Sequence, residues 1–264
     1  ALFLLAFGVL EHAEHSDNKA TSDLEIVHYS DINWTPLNPA RGDNSPRAGT
    51  LWGDRSADVA TGFLVQFKDG FSSPPHIHNV TYKGIVISGL IHNDDPSASK
   101  MWMPPVSYWT QPQGEAHITA AQGETNIAYI EIDEGPYLVR PTDQAYDNGQ
   151  RPLTIDASNI VWIDATNGSQ IAYLWKSESN AHPSGTFIKL PPKFQGTLDT
   201  DNTPVKAVVI QGQLKLRTKN KPTETTLSTA SSFQTSSTPL IHLSNDSTQD
   251  TILYLRTTGK HRLR

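Results

Sequence analysis

Cysteine is absent from the 264 residues. That excludes disulfides, thiolate metal sites and a cysteine nucleophile, and any metal must sit on nitrogen and oxygen donors. Charge is sparse, at 18% of residues, and the formal net charge is −6. Phosphate binding needs a basic face, so this balance excludes nucleic acid as a primary partner. The one basic cluster, Lys260, His261, Arg262 and Arg264, reads as a solvated terminus. A hydrophobic run long enough for a membrane span is also missing. The most apolar stretch, residues 1–10 (ALFLLAFGVL), is too short to cross a bilayer. It reads either as the h-region of a secretory signal, which implies an exported or periplasmic protein, or as an apolar arm of a cytoplasmic one, packed on its body or on a neighbouring subunit. Glu11, His12, Glu14 and His15 follow, and a polar helix end accounts for them better than an adventitious His-x-x-His metal pair.

Sustained helical periodicity is lacking too. What is there instead is strand. Residues 62–67 (GFLVQF), 84–88 (GIVIS), 126–132 (NIAYIEI) and 207–210 (AVVI) are short, rich in β-branched and aromatic residues, and bounded by Gly, Pro, Asn or Asp. The connections 71–75 (FSSPP) and 92–96 (HNDDP) carry Asx and proline turn chemistry. With 36% hydrophobic residues to build a core, the expectation is an all-β protein.

The chain repeats itself. A slide of 123 residues brings Leu51-Trp52 onto Leu174-Trp175, Gly62 onto Gly185, Phe71 onto Phe194, Lys83 onto Lys206, Val86-Ile87 onto Val209-Ile210, and Gly89 onto Gly212. A slide of 125 brings His117 onto His242, Ile127 onto Ile252 and Tyr129 onto Tyr254. Matching aromatics and glycines at fixed offsets point to a duplicated unit. The expected division is an N-terminal segment 1–40, a first unit 41–145 and a second unit 146–264, with the polar stretch 141–158 as linker.

Chemistry concentrates in the first repeat. His76 and His78 are two apart on an extended segment, so both imidazoles face one way while Ile77 faces the other. Some thirty residues later, residues 112–117 (PQGEAH) form a Pro-Gly turn that feeds a strand with a third histidine, His117. No Gly-x-Ser-x-Gly elbow, phosphate loop or dinucleotide fingerprint competes. Asp94 and Asp95 sit in a turn, and Glu131, Asp133 and Glu134 at a strand's exit, so paired-carboxylate glycoside chemistry has no support.

The run from Gly70 through His76-Ile-His78 to Gly89 resembles the first cupin motif, and residues 112–117 resemble its Pro-x-Gly-x-x-His partner. More narrowly, residues 76–82 (HIHNVTY), 91–96 (IHNDDP) and 109–112 (WTQP) resemble an uncharacterised bacterial cupin group of the DUF4437 kind. That group is itself similar to the cupins of ChrR-type anti-sigma factors and of acetophenone-cleaving dioxygenases. The resemblance implies two tandem cupin barrels of the jelly-roll, or double-stranded β-helix, type. It implies His76, His78 and His117 as ligands of one divalent metal, among Fe, Zn, Mn, Ni and Cu. It also implies a homodimer. One departure stands out: the family's usual glutamate ligand is replaced by Tyr82, with Lys83 next to it. A phenol ligates only when deprotonated and otherwise hydrogen-bonds a metal-bound water, and the open positions that remain are those a catalytic site needs.

His92 reads as a group beside the metal site or as a fourth nitrogen ligand, and Tyr82 or His92 as the proton relay. Glu115 lies at the barrel mouth. Trp102, Met103, Tyr108 and Trp109 either floor a pocket for an apolar ligand or are ordinary core. In the second repeat Asp199 and Asp201 stand where His76 and His78 stood, Val205 stands for Tyr82, and only His242 survives. The stretch 199–202 (DTDN) reads as a turn, and this half as a scaffold. Two functional classes follow: a metal-dependent enzyme, dioxygenase-like or else an isomerase or hydrolase, acting on a small organic substrate, or a non-catalytic metal or ligand sensor.

Overall fold

β-Branched and aromatic segments punctuated by Gly, Pro and Asn pair with their neighbours, and every ladder they form is antiparallel. The computed structural model describes residues 23–177 and 183–264. Among these the helical pieces are short 3₁₀ turns, such as Tyr29–Asp31 and Pro39–Asn44, and no helix is long and apolar enough to cross a membrane. The expectations for residues 1–10 and for Glu11, His12, Glu14 and His15 lie outside the described residues.

One seven-stranded sheet runs Leu153–Ile155, Tyr108–Gln111, Tyr82–Asp94, Ile118–Ile132, Thr61–Phe67, Arg47–Trp52 and Thr35–Pro36. A second runs Glu25–Val27, Ser232–Thr235, Val205–Gln211, Thr251–Thr257, Ser184–Leu190, Gln170–Lys176 and Ile163–Asp164. A five-stranded sheet and the short pair Ile77–His78 with Val139–Arg140 complete the described strands. The described chain is thus all β, in jelly-roll sheets.

The register repeats with the sequence. Trp52 pairs with Gly62 and Trp175 with Gly185; Val86 pairs with Ala128 and Val209 with Leu253. Even the bulge recurs, after Val86 in one half and after Val209 in the other. Gly62 and Gly185 are glycine for one reason: an indole, of Trp52 or Trp175, occupies the place of a Cβ. Each indole N–H then donates to a tyrosine hydroxyl, Trp52 to Tyr129 at 3.2 Å and Trp175 to Tyr254 at 3.1 Å.

These matched residues meet face to face in a core shared by both halves, where the Tyr129 and Tyr254 rings lie 5.4 Å apart. Glu131, whose counterpart in the second half is Arg256, is fully buried between them. Its carboxylate accepts from the hydroxyls of Tyr129 (2.8 Å) and Tyr254 (3.1 Å) and from Arg256 (2.6 Å), and Arg256 also reaches Asp133 at 2.6 Å. Glu131 and Asp133, at this strand's exit, therefore join the two halves. Two short strands cross over as well. Glu25–Val27 pairs with Ser232–Thr235 of the second half, and Leu153–Ile155 pairs with Tyr108–Gln111 of the first. Asp23 anchors the first crossing; it is a poorly solvated carboxylate, but hydrogen bonds from Thr238, Thr235 and Ser237 hold its pKa low.

Candidate metal centre

His76 and His117 form an isolated antiparallel bridge, each backbone N–H donating to the other's carbonyl at 3.1 and 3.0 Å, so the two motifs are laced together. His78 is placed by the Ile77–His78 strand, and its carbonyl accepts from Gly114 N–H at the Pro-Gly turn, at 2.9 Å. The three rings converge with centroids 4.3 to 5.2 Å apart. One nitrogen of each lies within 4.8 Å of the others, and the Nε2 atoms of His76 and His78 are 3.2 Å apart. Nitrogens sharing a tetrahedral ion at about 2.1 Å would be roughly 3.4 Å apart, so the spacing fits.

The far sides of two rings are tied down. His76 Nδ1 lies 2.9 Å from the Pro74 carbonyl and His117 Nδ1 lies 3.2 Å from the Glu115 carbonyl. A carbonyl only accepts, so both Nδ1 atoms carry the proton and both Nε2 atoms turn a lone pair inward. All three imidazoles resist protonation. Burial lowers the His117 pKa to about 3, with His76 adding to the effect. His78 is pushed well below the usual imidazole value by burial, then by His117 and His76, and His76 is lowered chiefly by burial. Neutral imidazoles, two of them with the inward lone pair fixed by a backbone carbonyl, are the donor set a divalent ion takes once His78 also turns a lone pair inward.

Tyr82 stands beside them, its hydroxyl 3.4 Å from His117 Nε2 and 2.9 Å from Asn93 Oδ1. Burial raises its pKa above that of a free phenol, against the nearby Trp109, Thr119 and Asn93. It enters the site as a protonated phenol. Tyr137 is a second phenol there, and no sequence motif marks it. It follows the Gly135-Pro136 turn, stacks on His78 at 4.5 Å, and brings its hydroxyl within 3.3 Å of His78 Nε2.

A cavity of about 150 Å³ opens onto His76, His78 and Tyr82, walled by Val65, Phe67, Phe71, Trp109, Ile130 and Tyr137. Among the described residues Arg41 is the one charged side chain lining it, its guanidinium 6.0 Å from the Phe71 ring. Of the aromatic run expected near a pocket, Trp109 lines this cavity. Met103 packs in the core behind it, Tyr108 faces the core shared with the second half, and Trp102 covers His92. Glu115 serves through its carbonyl; its carboxylate lies in an outer depression with Tyr146 and Arg151.

Two expectations need correcting. His92 is not brought to the histidine cluster. Its Nδ1 lies against the Met101 backbone and its ring against Trp102, while its neighbour Asn93 turns inward. The register shifts around Ser88 are the cause: before them even-numbered residues such as Tyr82 and Val86 face the interior, after them Ile91 and Asn93 do. His242 is likewise not the counterpart of His117. Lys215 pairs with Ser244 as His92 pairs with Ala120, which sets His242 opposite Ile118 and Ile241 opposite His117. Ile241 is fully buried in the second half's core, whereas His242 meets Thr197 at 3.0 Å. Asp201 and Asn202 do form a turn, both with positive φ.

Jelly-roll sheets carrying three histidines on two facing motifs define a cupin with a cluster able to hold a metal ion. The chain belongs to the family described as "Domain of unknown function (DUF4437)", whose model matches residues 25–264. Among solved structures it is similar to a candidate dioxygenase from Nostoc punctiforme (14% identity, 89% of this chain and 82% of that one, TM-score 0.67). It is also similar to AerE from Microcystis aeruginosa (14% identity, 86% and 96%, TM-score 0.59). A third similar structure is an oxalate decarboxylase from Lactobacillus farciminis in a formate complex (9% identity, 90% and 87%, TM-score 0.61). At these identities the likeness is one of fold. No curated protein matches the sequence.

Proposed function

We propose that this chain is a bicupin, two tandem barrels of which the first is a metal-dependent oxidoreductase of dioxygenase type acting on a small organic molecule. The observation that carries the reading is the convergence of three inward-facing imidazole nitrogens at the end of an apolar cavity. His76, His78 and His117 would hold the ion, with Nδ1–H of His76 and His117 fixed by the Pro74 and Glu115 carbonyls. When bound, a first-row ion supplies Lewis-acid or redox chemistry at the positions the histidines leave open. Phe67, Phe71 and Trp109 offer contact to an apolar substrate body and keep water from its reacting end. Arg41 at the rim can meet a polar or acidic terminus, and the Tyr137 hydroxyl can donate to a substrate oxygen beside His78. His92 has no part in this reading.

The test is metal content. Protein purified without a histidine tag, measured by elemental mass spectrometry, should carry about one first-row ion per chain, and His76→Ala/His78→Ala should carry none. Iron in the wild type is then followed by oxygen-uptake screens with small aromatic and keto compounds. Metal without oxygen uptake would favour a sensor. No metal in either protein after reconstitution would sink the proposal.

A further inference from the structure

The position of the Tyr82 proton can be read from a chain of hydrogen bonds that starts at a backbone carbonyl. The Glu115 carbonyl accepts from His117 Nδ1 and also lies 3.3 Å from Gln111 Nε2. A carbonyl has no proton to give, so the amide end of Gln111 must face it and Gln111 Oε1 must face the other way. Gln111 Oε1 is 2.9 Å from Asn93 Nδ2, which fixes the orientation of Asn93 in turn. Asn93 Oδ1 then receives two hydroxyls, Thr119 at 2.7 Å and Tyr82 at 2.9 Å, and both must donate. The indole N–H of Trp109, buried close by, is a donor only and cannot take the phenolic proton instead. The Tyr82 proton is thus committed to Asn93, and an oxygen lone pair is left toward His117 Nε2.

The second half supplies the comparison. By strand register Tyr82 matches Val205, Asn93 matches Leu216, Thr119 matches Leu243 and His117 matches Ile241. All four of these counterparts are buried in its aliphatic core. The half without the histidine cluster has lost the tyrosine, asparagine and threonine of the chain as well, while Gln111 is matched by the polar Thr235, as expected if those three serve the histidines rather than the fold.

We infer that Asn93 is a positioning residue for the metal centre, which holds the Tyr82 hydroxyl turned away so that Tyr82 faces the ion as an acceptor. This rests on the proposed three-histidine site. Without Asn93 the same hydroxyl, already 3.4 Å from His117 Nε2, rotates and donates to it, competing with the ion for that lone pair.

The experiment is a double-mutant cycle on Co²⁺ affinity, titrated against a chelator, using wild type, Asn93→Leu, Tyr82→Phe and the double variant. Asn93→Leu should weaken Co²⁺ binding by about ten- to a hundredfold, the range of partners that orient metal ligands. In the Tyr82→Phe background, which has no proton to misdirect, the same change should cost no more than about twofold. An equal loss in both backgrounds would overturn the inference and leave Asn93 a packing residue. Asn93→Asp, with its buried carboxyl protonated, donates to Gln111 Oε1 as the amide did and keeps an acceptor for Tyr82, so it should bind Co²⁺ about as well as wild type; an aspartate variant that binds about tenfold or more weakly than wild type also overturns it. Should the leucine variant not fold, the aspartate comparison decides alone. Wild-type protein that takes up no Co²⁺ overturns both this inference and the site on which it rests.

Discussion

Acid should destabilise the metal-free protein through its buried imidazoles, by an amount that can be worked out. An unfolded histidine takes up a proton near pH 6.5, whereas folded His117 does so only near about 3, because it is buried and faces His76. Between those values the unfolded state binds more protons, so stability is whole above pH 6.5 and falls as the pH drops toward 3. At about pH 5 the loss from His117 is 1.5 units at about 1.4 kcal/mol each, or about 2 kcal/mol. His78, lowered in the same direction, adds to it. Against a total stability of about 5–15 kcal/mol this is a large fraction. The assay is urea denaturation of chelator-stripped protein at about pH 7.5 and about pH 5, for wild type and His117→Leu. Other groups, Asp23 among them, titrate in both proteins and cancel in the comparison. The wild type should lose about 2 kcal/mol more than the variant on acidification. An equal loss would mean that His117 is not held neutral in the fold, and the argument for a metal-ready donor set would fall.

Glu131→Leu strands the Arg256 charge and two tyrosine hydroxyls in the shared core. It should cost about 3–5 kcal/mol in chemical denaturation, while Glu131→Leu/Arg256→Leu regains most of that. A double variant no more stable than the single would show that the pair is not energetically coupled. His92→Phe and His242→Ala, both facing away from the cluster, should leave metal content at the wild-type level, and a loss in either would reverse the orientations described for them. Gly89 has φ +73 and the Asn126 carboxamide packed where a Cβ would stand. Gly89→Ala should therefore lower the melting temperature by more than 1 kcal/mol's worth, about 2–4 °C for a chain of this size.

The histidine pair His76 and His78, the Pro-Gly turn before His117 and the all-β character were legible because they rest on local rules: alternation, turn chemistry and spacing. The duplication was legible through Trp52 and Trp175, Gly62 and Gly185, and Tyr129 and Tyr254, whose mutual packing keeps them paired in both halves. What could not be read depends on breaks in those rules. Counting by twos from Tyr82 arrives at His92, and only the register shifts near Ser88 hand the inward position to Asn93. Between the His117 and Ile241 strands a single residue of offset decides which side chain enters the core, and no composition signal marks it. Tyr137 sits in the loop just before Val139–Arg140, a short strand that meets Ile77–His78 only in three dimensions. Gln111, Asn93 and Thr119 are ordinary polar residues until their cross-strand partners are known.

The crossing strands bear on what a cut in the chain would do. The exposed stretch 141–152 joins the halves covalently, yet Glu25–Val27 is already woven into one sheet and Leu153–Ile155 into the other. A protease nick there removes a tether but not the aromatic seam around Glu131, and the two fragments should travel as one particle until denaturant parts them. Expressed singly, each fragment would expose its share of that seam to water, so splitting this protein into two working modules is the one dissection its architecture resists.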